Sequence, residues 1–154
     1  MRCLSILLAV SAFAQQSPPA VRLVTTDIDN FWKAYDAGTP GDREDAFHKL
    51  YLGPASPGLR DFFEKRILSA RLLADTVDRQ APKFYAGIRP NTLQVEKQRL
   101  AILKYLARYA ELYPDASFPP VYFVIGRLTS GGTTSNRGRI GLIGTEPLQF
   151  HLVR

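Results

Sequence analysis

The chain has 154 residues and a formal charge of +6 at pH 7, with one cysteine and two histidines. That length suits one domain of ordinary size with a real core. Bases and acids interleave in Asp42-Arg43-Glu44-Asp45 and in Arg60-Asp61-Phe62-Phe63-Glu64-Lys65-Arg66, the pattern of a solvated helix face, which speaks against a nucleic-acid binder with its bases gathered on one surface.

Residues 1–14 join one basic residue, Arg2, to an apolar run ending in Ala12-Phe13-Ala14, the pattern of a secretory signal peptide with a small-x-small cleavage site. The run is well short of the ~20 residues a membrane-spanning helix needs. Gln15-Gln16-Ser17-Pro18-Pro19 then supplies a polar, helix-breaking flank. The expectation is a bacterial protein exported to the periplasm or the extracellular space after cleavage near Ala14, with no membrane span. Cys3, the only cysteine, leaves with the signal, so the mature chain has no disulfide and no thiolate for catalysis or metal binding.

After an extended N-terminal segment, 15–25, the spacing predicts four or so amphipathic helices. Thr26 and Asp27 offer N-cap oxygens, and Ile28, Phe31, Trp32 and Tyr35 follow on one face. Gly38-Thr39-Pro40-Gly41 ends that helix, and Asp42 can cap a second that carries Phe47, Leu50 and Tyr51 inward and stops at Gly53-Pro54. Ser56-Pro57 is an N-cap with proline at the first helical position, opening a third helix through Leu59, Phe62, Phe63, Leu68 and Leu72 to about Val77. Pro82 interrupts, and after Pro90 a long helix begins, with Asn91 and Gln94 at capping-box spacing and Val95, Ile102, Leu103, Leu106, Tyr109 and Tyr113 on one stripe. Arg99 falls on that stripe, where it must pair with a carboxylate or run its charged end to solvent, the second being favoured.

The character then changes. Val121-Tyr122-Phe123-Val124-Ile125 is rich in β-branched and aromatic residues and too short for a helix. A polar, glycine-rich stretch, 129–138, separates it from Ile140-Gly141-Leu142-Ile143, and the simplest pairing is an antiparallel β-hairpin over 120–144. A helical region, 26–113, followed by strands argues for an α+β domain. A lone hairpin is barely stable and its edges need partners, so the domain reads as incomplete.

No catalytic set and no metal site can be assembled. His48 and His151 belong to no zinc-ligand spacing, and His48 reads as a polar-face residue. Asp27-Ile28-Asp29-Asn30 starts like a calcium loop but lacks the glycine and downstream glutamate, so it reads as a helix start. Gly131-Gly132-Thr133-Thr134 is followed by no Lys-Ser or Lys-Thr and is no nucleotide-triphosphate loop.

Phe118-Pro119-Pro120-Val121-Tyr122-Phe123-Val124-Ile125-Gly126-Arg127, with Ser130-Gly131-Gly132-Thr133-Thr134 and Gly141-Leu142-Ile143-Gly144-Thr145-Glu146, resembles the stretch just upstream of the catalytic helix in a bacterial family of predicted zinc-dependent proteases. The resemblance implies a helical region, a short sheet, then a helix bearing His-Glu-x-x-His, and so a metallopeptidase-like domain of which this chain is the N-terminal part. After Glu146 the chain reads Pro147-Leu148-Gln149-Phe150-His151-Leu152-Val153-Arg154, without both zinc histidines and the catalytic glutamate. Zinc is therefore expected only with a downstream segment, the chain as given is expected to be inactive, and a peptide or protein substrate belongs to the full-length protein. What the resemblance leaves here is half of a substrate cleft, at Gly131, Gly132, Thr133, Thr134 and Glu146, where an edge strand can take up the substrate backbone. The alternative, that Glu146 is a solvent-facing turn residue and the glycines only shape a loop, stays open. So do two other functions: a small exported binding module using its strand edge and aromatic helix faces, and a basic binder of anionic cell-envelope surfaces.

Overall fold

The computed structural model describes residues 21–134 and 140–143. The expected signal segment, 1–14, lies outside the described residues. In chain order the elements are β1 (Leu23–Val24), α1 (Thr26–Ala37), α2 (Glu44–Ala46, continuing as a π-helical run Phe47–Leu52), α3 (Pro57–Phe62, continuing as Phe63–Ile67) and α4 (Ala70–Asp75, continuing as Thr76–Gln80). Then come α5 (Pro82–Thr92), a 3-10 turn (Val95–Gln98) leading into α6 (Arg99–Leu112), β2 (Val121–Val124), β3 (Gly132–Thr134) and β4 (Ile140–Ile143). The fold mixes helix and strand and is mostly helical.

The core forms where the aromatic stripes of the first helices meet. Phe31 is fully buried and touches Trp32, Phe47, Tyr51 and Tyr85, with ring centroids 5.0, 5.2, 5.3 and 6.0 Å away. Such offset and edge-on pairs add to the area they bury. Trp32 also satisfies its ring N–H on Thr92 Oγ1 at 2.9 Å. Ser56 caps α3 as its sequence suggests, its hydroxyl accepting from the Leu59 N–H at 3.2 Å with Pro57 in the first turn.

Among the described residues six helices form where four or so were expected. The third predicted helix breaks at Leu68, which takes φ 71° and ψ −44° while the Ser69 N–H donates to the Ile67 carbonyl at 2.9 Å, a strained γ-turn. That turn resets the helical phase, so Leu68 and Leu72 point outward instead of joining the core. Pro82 starts a helix in place of merely interrupting one, because its missing N–H is harmless in a first turn. Neither Asp42 nor the Asn91/Gln94 pair caps a helix: Arg43 and Gln98 hold the N-cap positions of α2 and α6 without a side-chain cap bond, and Asn91 lies within α5. Thr26 and Asp27 lie inside α1, whose N-cap position is held by Thr25. Thr25 sends its hydroxyl to Glu96. Arg99 corrects a further expectation. It pairs with Glu96 and donates to the Leu23 carbonyl at 3.2 Å, so a carboxylate and a strand end hold it, with the pair still at the surface at 34 % and 56 % exposed.

The strand pairing also differs from the expected hairpin. Among the described residues the sheet has four strands in the order β1-β2-β4-β3, with β1 and β4 both parallel to β2 and β3 antiparallel to β4. The stretch read as a loop contributes a strand of its own, and the connection from β2 to β4 is long enough for the crossover that a parallel pair requires. The N-terminal segment supplies the other extra strand. The sheet therefore has more partners than a lone hairpin, which removes the argument for missing strands. All four β2 residues are buried, with α1 and α3 against the strand. Gly58 lies against the Tyr122 ring, where a Cβ would collide.

Candidate functional site

Of the five expected cleft residues, the structure places four together. Gly131 precedes β3, while Gly132, Thr133 and Thr134 form it, at the outer position of the sheet. Glu146 lies outside the described residues.

The backbone of β3 is presented in a specific way. Its register is Gly132 with Leu142, Thr133 with Gly141 and Thr134 with Ile140. The Ser130 hydroxyl donates to the Gly132 carbonyl at 2.7 Å and accepts from the Gly132 N–H at 3.3 Å. Both backbone groups of Gly132 are thus engaged by a side chain of its own loop. With both Gly132 groups taken by Ser130, the alternation of an antiparallel ladder turns Thr133 toward β4 and the groups of Gly132 and Thr134 toward the edge that is open among the described residues. The Thr134 carbonyl is similarly met by the Thr133 hydroxyl, at 3.4 Å. The edge is capped by local hydroxyls, each of which a stronger backbone partner can displace.

The approach to β3 is fixed from inside the core. The Tyr51 hydroxyl donates to the Ile125 carbonyl at 2.7 Å and accepts from the Ile125 N–H at 3.1 Å, and the Tyr85 hydroxyl donates to the Gly126 carbonyl at 2.7 Å. Burial pushes both phenols above their usual range, most strongly Tyr51, where the Asp27 carboxylate adds to the effect, so both stay neutral donors. Farther along, Arg127 Nε and Thr129 Oγ1 both donate to the Arg66 carbonyl, at 3.1 and 3.2 Å. Leu128 between them is held at φ 63°. Sequence reasoning placed Tyr51 in the core but missed what its hydroxyl does, and nothing in the spacing of Tyr85, Arg127 or Thr129 signalled these bonds.

Other candidates fall elsewhere. Asp27 is buried in the first turn of α1 and accepts from the Ser56 N–H at 3.1 Å and from the Ser56 hydroxyl. Burial raises its pKa above the usual carboxylate value despite those two bonds. His48 is exposed on the π-helical run after α2. Among the described residues no group of three or more His, Cys, Asp or Glu side chains is placed to hold a metal ion. Among the same residues no helix is long and apolar enough to cross a membrane. No protein-family model, no curated protein and no solved structure matches the chain.

Proposed function

We propose that this chain supplies the peptide-binding side of an exported zinc-dependent protease of the family it resembles, with β3 as the strand along which an extended polypeptide lies. The observation that carries the reading is the outer, antiparallel position of β3 among the described residues, with the Gly132 N–H and carbonyl met by the Ser130 hydroxyl. An extended chain added there gains main-chain hydrogen bonds regardless of its sequence, as a protease substrate must. Under this reading the zinc ligands come from a His-Glu-x-x-His helix that these residues do not contain, and the chain by itself does not hydrolyse peptides. Export rests on residues 1–14, and N-terminal sequencing of secreted material should begin at Gln15.

The test is fluorescence anisotropy with a labelled, unstructured heptapeptide rich in β-branched residues. Ser130→Ala removes the hydroxyl that competes for Gly132 and should tighten binding. Gly132→Pro deletes an N–H that faces away from β4, which a sheet edge tolerates, and should abolish binding. Equal affinity for both variants would remove the reading.

One observation favours the second reading, a binding module. The aromatic faces of α1 and α2 are consumed by the core, but α6 has no buried residue and leaves Tyr105, Tyr109 and Leu112, with Tyr113 just past its end, half exposed or more. Tyrosines in such a setting suit a partner surface with apolar and polar features. Replacing Tyr105 and Tyr109 with serine, without effect on the heptapeptide, separates this surface from β3.

A further inference from the structure

A cavity of about 590 Å³ opens between the end of the π-helical run after α2, the α3 segment and the start of α4. That volume lies in the range of small-molecule sites and exceeds what any one side chain fills. Its apolar wall includes Leu52, Ala55, Phe63 and Leu68. Leu68 is there because of the γ-turn, which keeps it half exposed where a continuous helix would have buried it or turned it away.

The charged lining groups come from separate elements: Glu44 from α2, His48 from its π-helical extension, Arg60 from α3 and Glu64 from the run that follows it. None of Glu44, Arg60 and Glu64 makes an ion pair or a side-chain hydrogen bond among the described residues. Arg60 and Glu64 stand one helical turn apart and yet do not pair. An apolar cavity whose exposed rim carries one guanidinium and two carboxylates, unpaired among the described residues, matches a ligand with an apolar body, one anion and one cation. A fatty acid matches poorly, because its single carboxylate would meet Glu44 and Glu64 as well as Arg60.

We propose that this cavity binds short apolar peptides with free termini, the ammonium meeting Glu44 and Glu64 and the carboxylate meeting Arg60. The site is separate from β3 and does not depend on the protease reading. If that reading holds, the ligands are the class of molecule peptide hydrolysis releases.

Calorimetric titration of the chain with the dipeptide Leu-Leu tests it. Saturable one-to-one binding is expected. N-acetylation of the dipeptide, or Glu64→Gln in the protein, should weaken it about tenfold, as should C-terminal amidation or Arg60→Gln. Amidation should have no further effect on the Arg60→Gln variant. Leu68→Gly eases the backbone at a positive φ while removing an apolar wall, so it should weaken binding with no loss of stability, which separates binding from folding. Gly132→Pro should leave Leu-Leu affinity unchanged even where it abolishes heptapeptide binding. Absence of saturable binding, or blocked dipeptides binding as tightly as the free one, overturns the proposal.

Discussion

Replacing Tyr51 with phenylalanine removes one oxygen and leaves the ring stack around Phe31 in place. That oxygen serves two backbone groups of Ile125, as donor to its carbonyl and acceptor from its N–H, and Tyr51 and Ile125 are almost wholly buried. Water cannot replace it there without opening the core. Each buried polar group left unsatisfied costs about 1–3 kcal/mol, so Tyr51→Phe, which strands two, should destabilise the fold by roughly 2–6 kcal/mol. Tyr85→Phe frees only the Gly126 carbonyl and should cost about 1–3 kcal/mol, half as much. Urea titration followed by tryptophan fluorescence reads both, with Trp32 in the same core cluster as reporter. Because the two tyrosines hold neighbouring residues, the double variant should be less destabilised than the two single values added together. The reasoning is refuted if Tyr51→Phe costs no more than Tyr85→Phe, or if the effects are strictly additive.

Three further outcomes follow from the core. Asp27 has its folded pKa raised by burial, so its contribution to stability is fully present below the usual carboxylate pKa and is lost as pH rises through the raised value; Asp27→Asn, which keeps an acceptor for the Ser56 N–H, should flatten that part of the stability-versus-pH curve measured by denaturant titration. Arg43 and Asp78 form an ion pair with side chains 8 % and 4 % exposed, and Asp78→Ala should therefore destabilise by about 3–5 kcal/mol in the same assay, since Asp78 also accepts from the Gly41 N–H. Gly58→Ala forces a methyl into the Tyr122 ring and should cost about 1–3 kcal/mol or more, readable as a lowered thermal midpoint.

Periodicity made the core of the first two helices legible. Ile28, Phe31 and Trp32, then Phe47 and Tyr51, are buried as their spacing required. Periodicity could not find the γ-turn at Leu68, because a leucine carries no signal for a left-handed conformation that the surrounding packing imposes. It also over-read α6, whose Tyr109 and Tyr113 extend the stripe of Ile102 and Leu106 but lie outside the core. The sheet was harder still. The short apolar runs of β2 and β4 are visible, but their relative direction depends on the connection between them, and the small polar residues of β3 read as loop until a neighbouring strand pairs with them. The reading of Gly131 to Thr134 as cleft residues came from resemblance. The capping of Gly132 by Ser130 came only from geometry.

Amide hydrogen exchange at β3, with and without the unstructured heptapeptide, tests strand addition most directly. The Gly132 and Thr134 N–H groups face the open edge and should slow when the peptide is added, while that of Thr133, directed at β4, should change little. Protection of Thr133 alone, or protection confined to residues outside 131–134, would contradict the assignment of β3 as the peptide-binding strand.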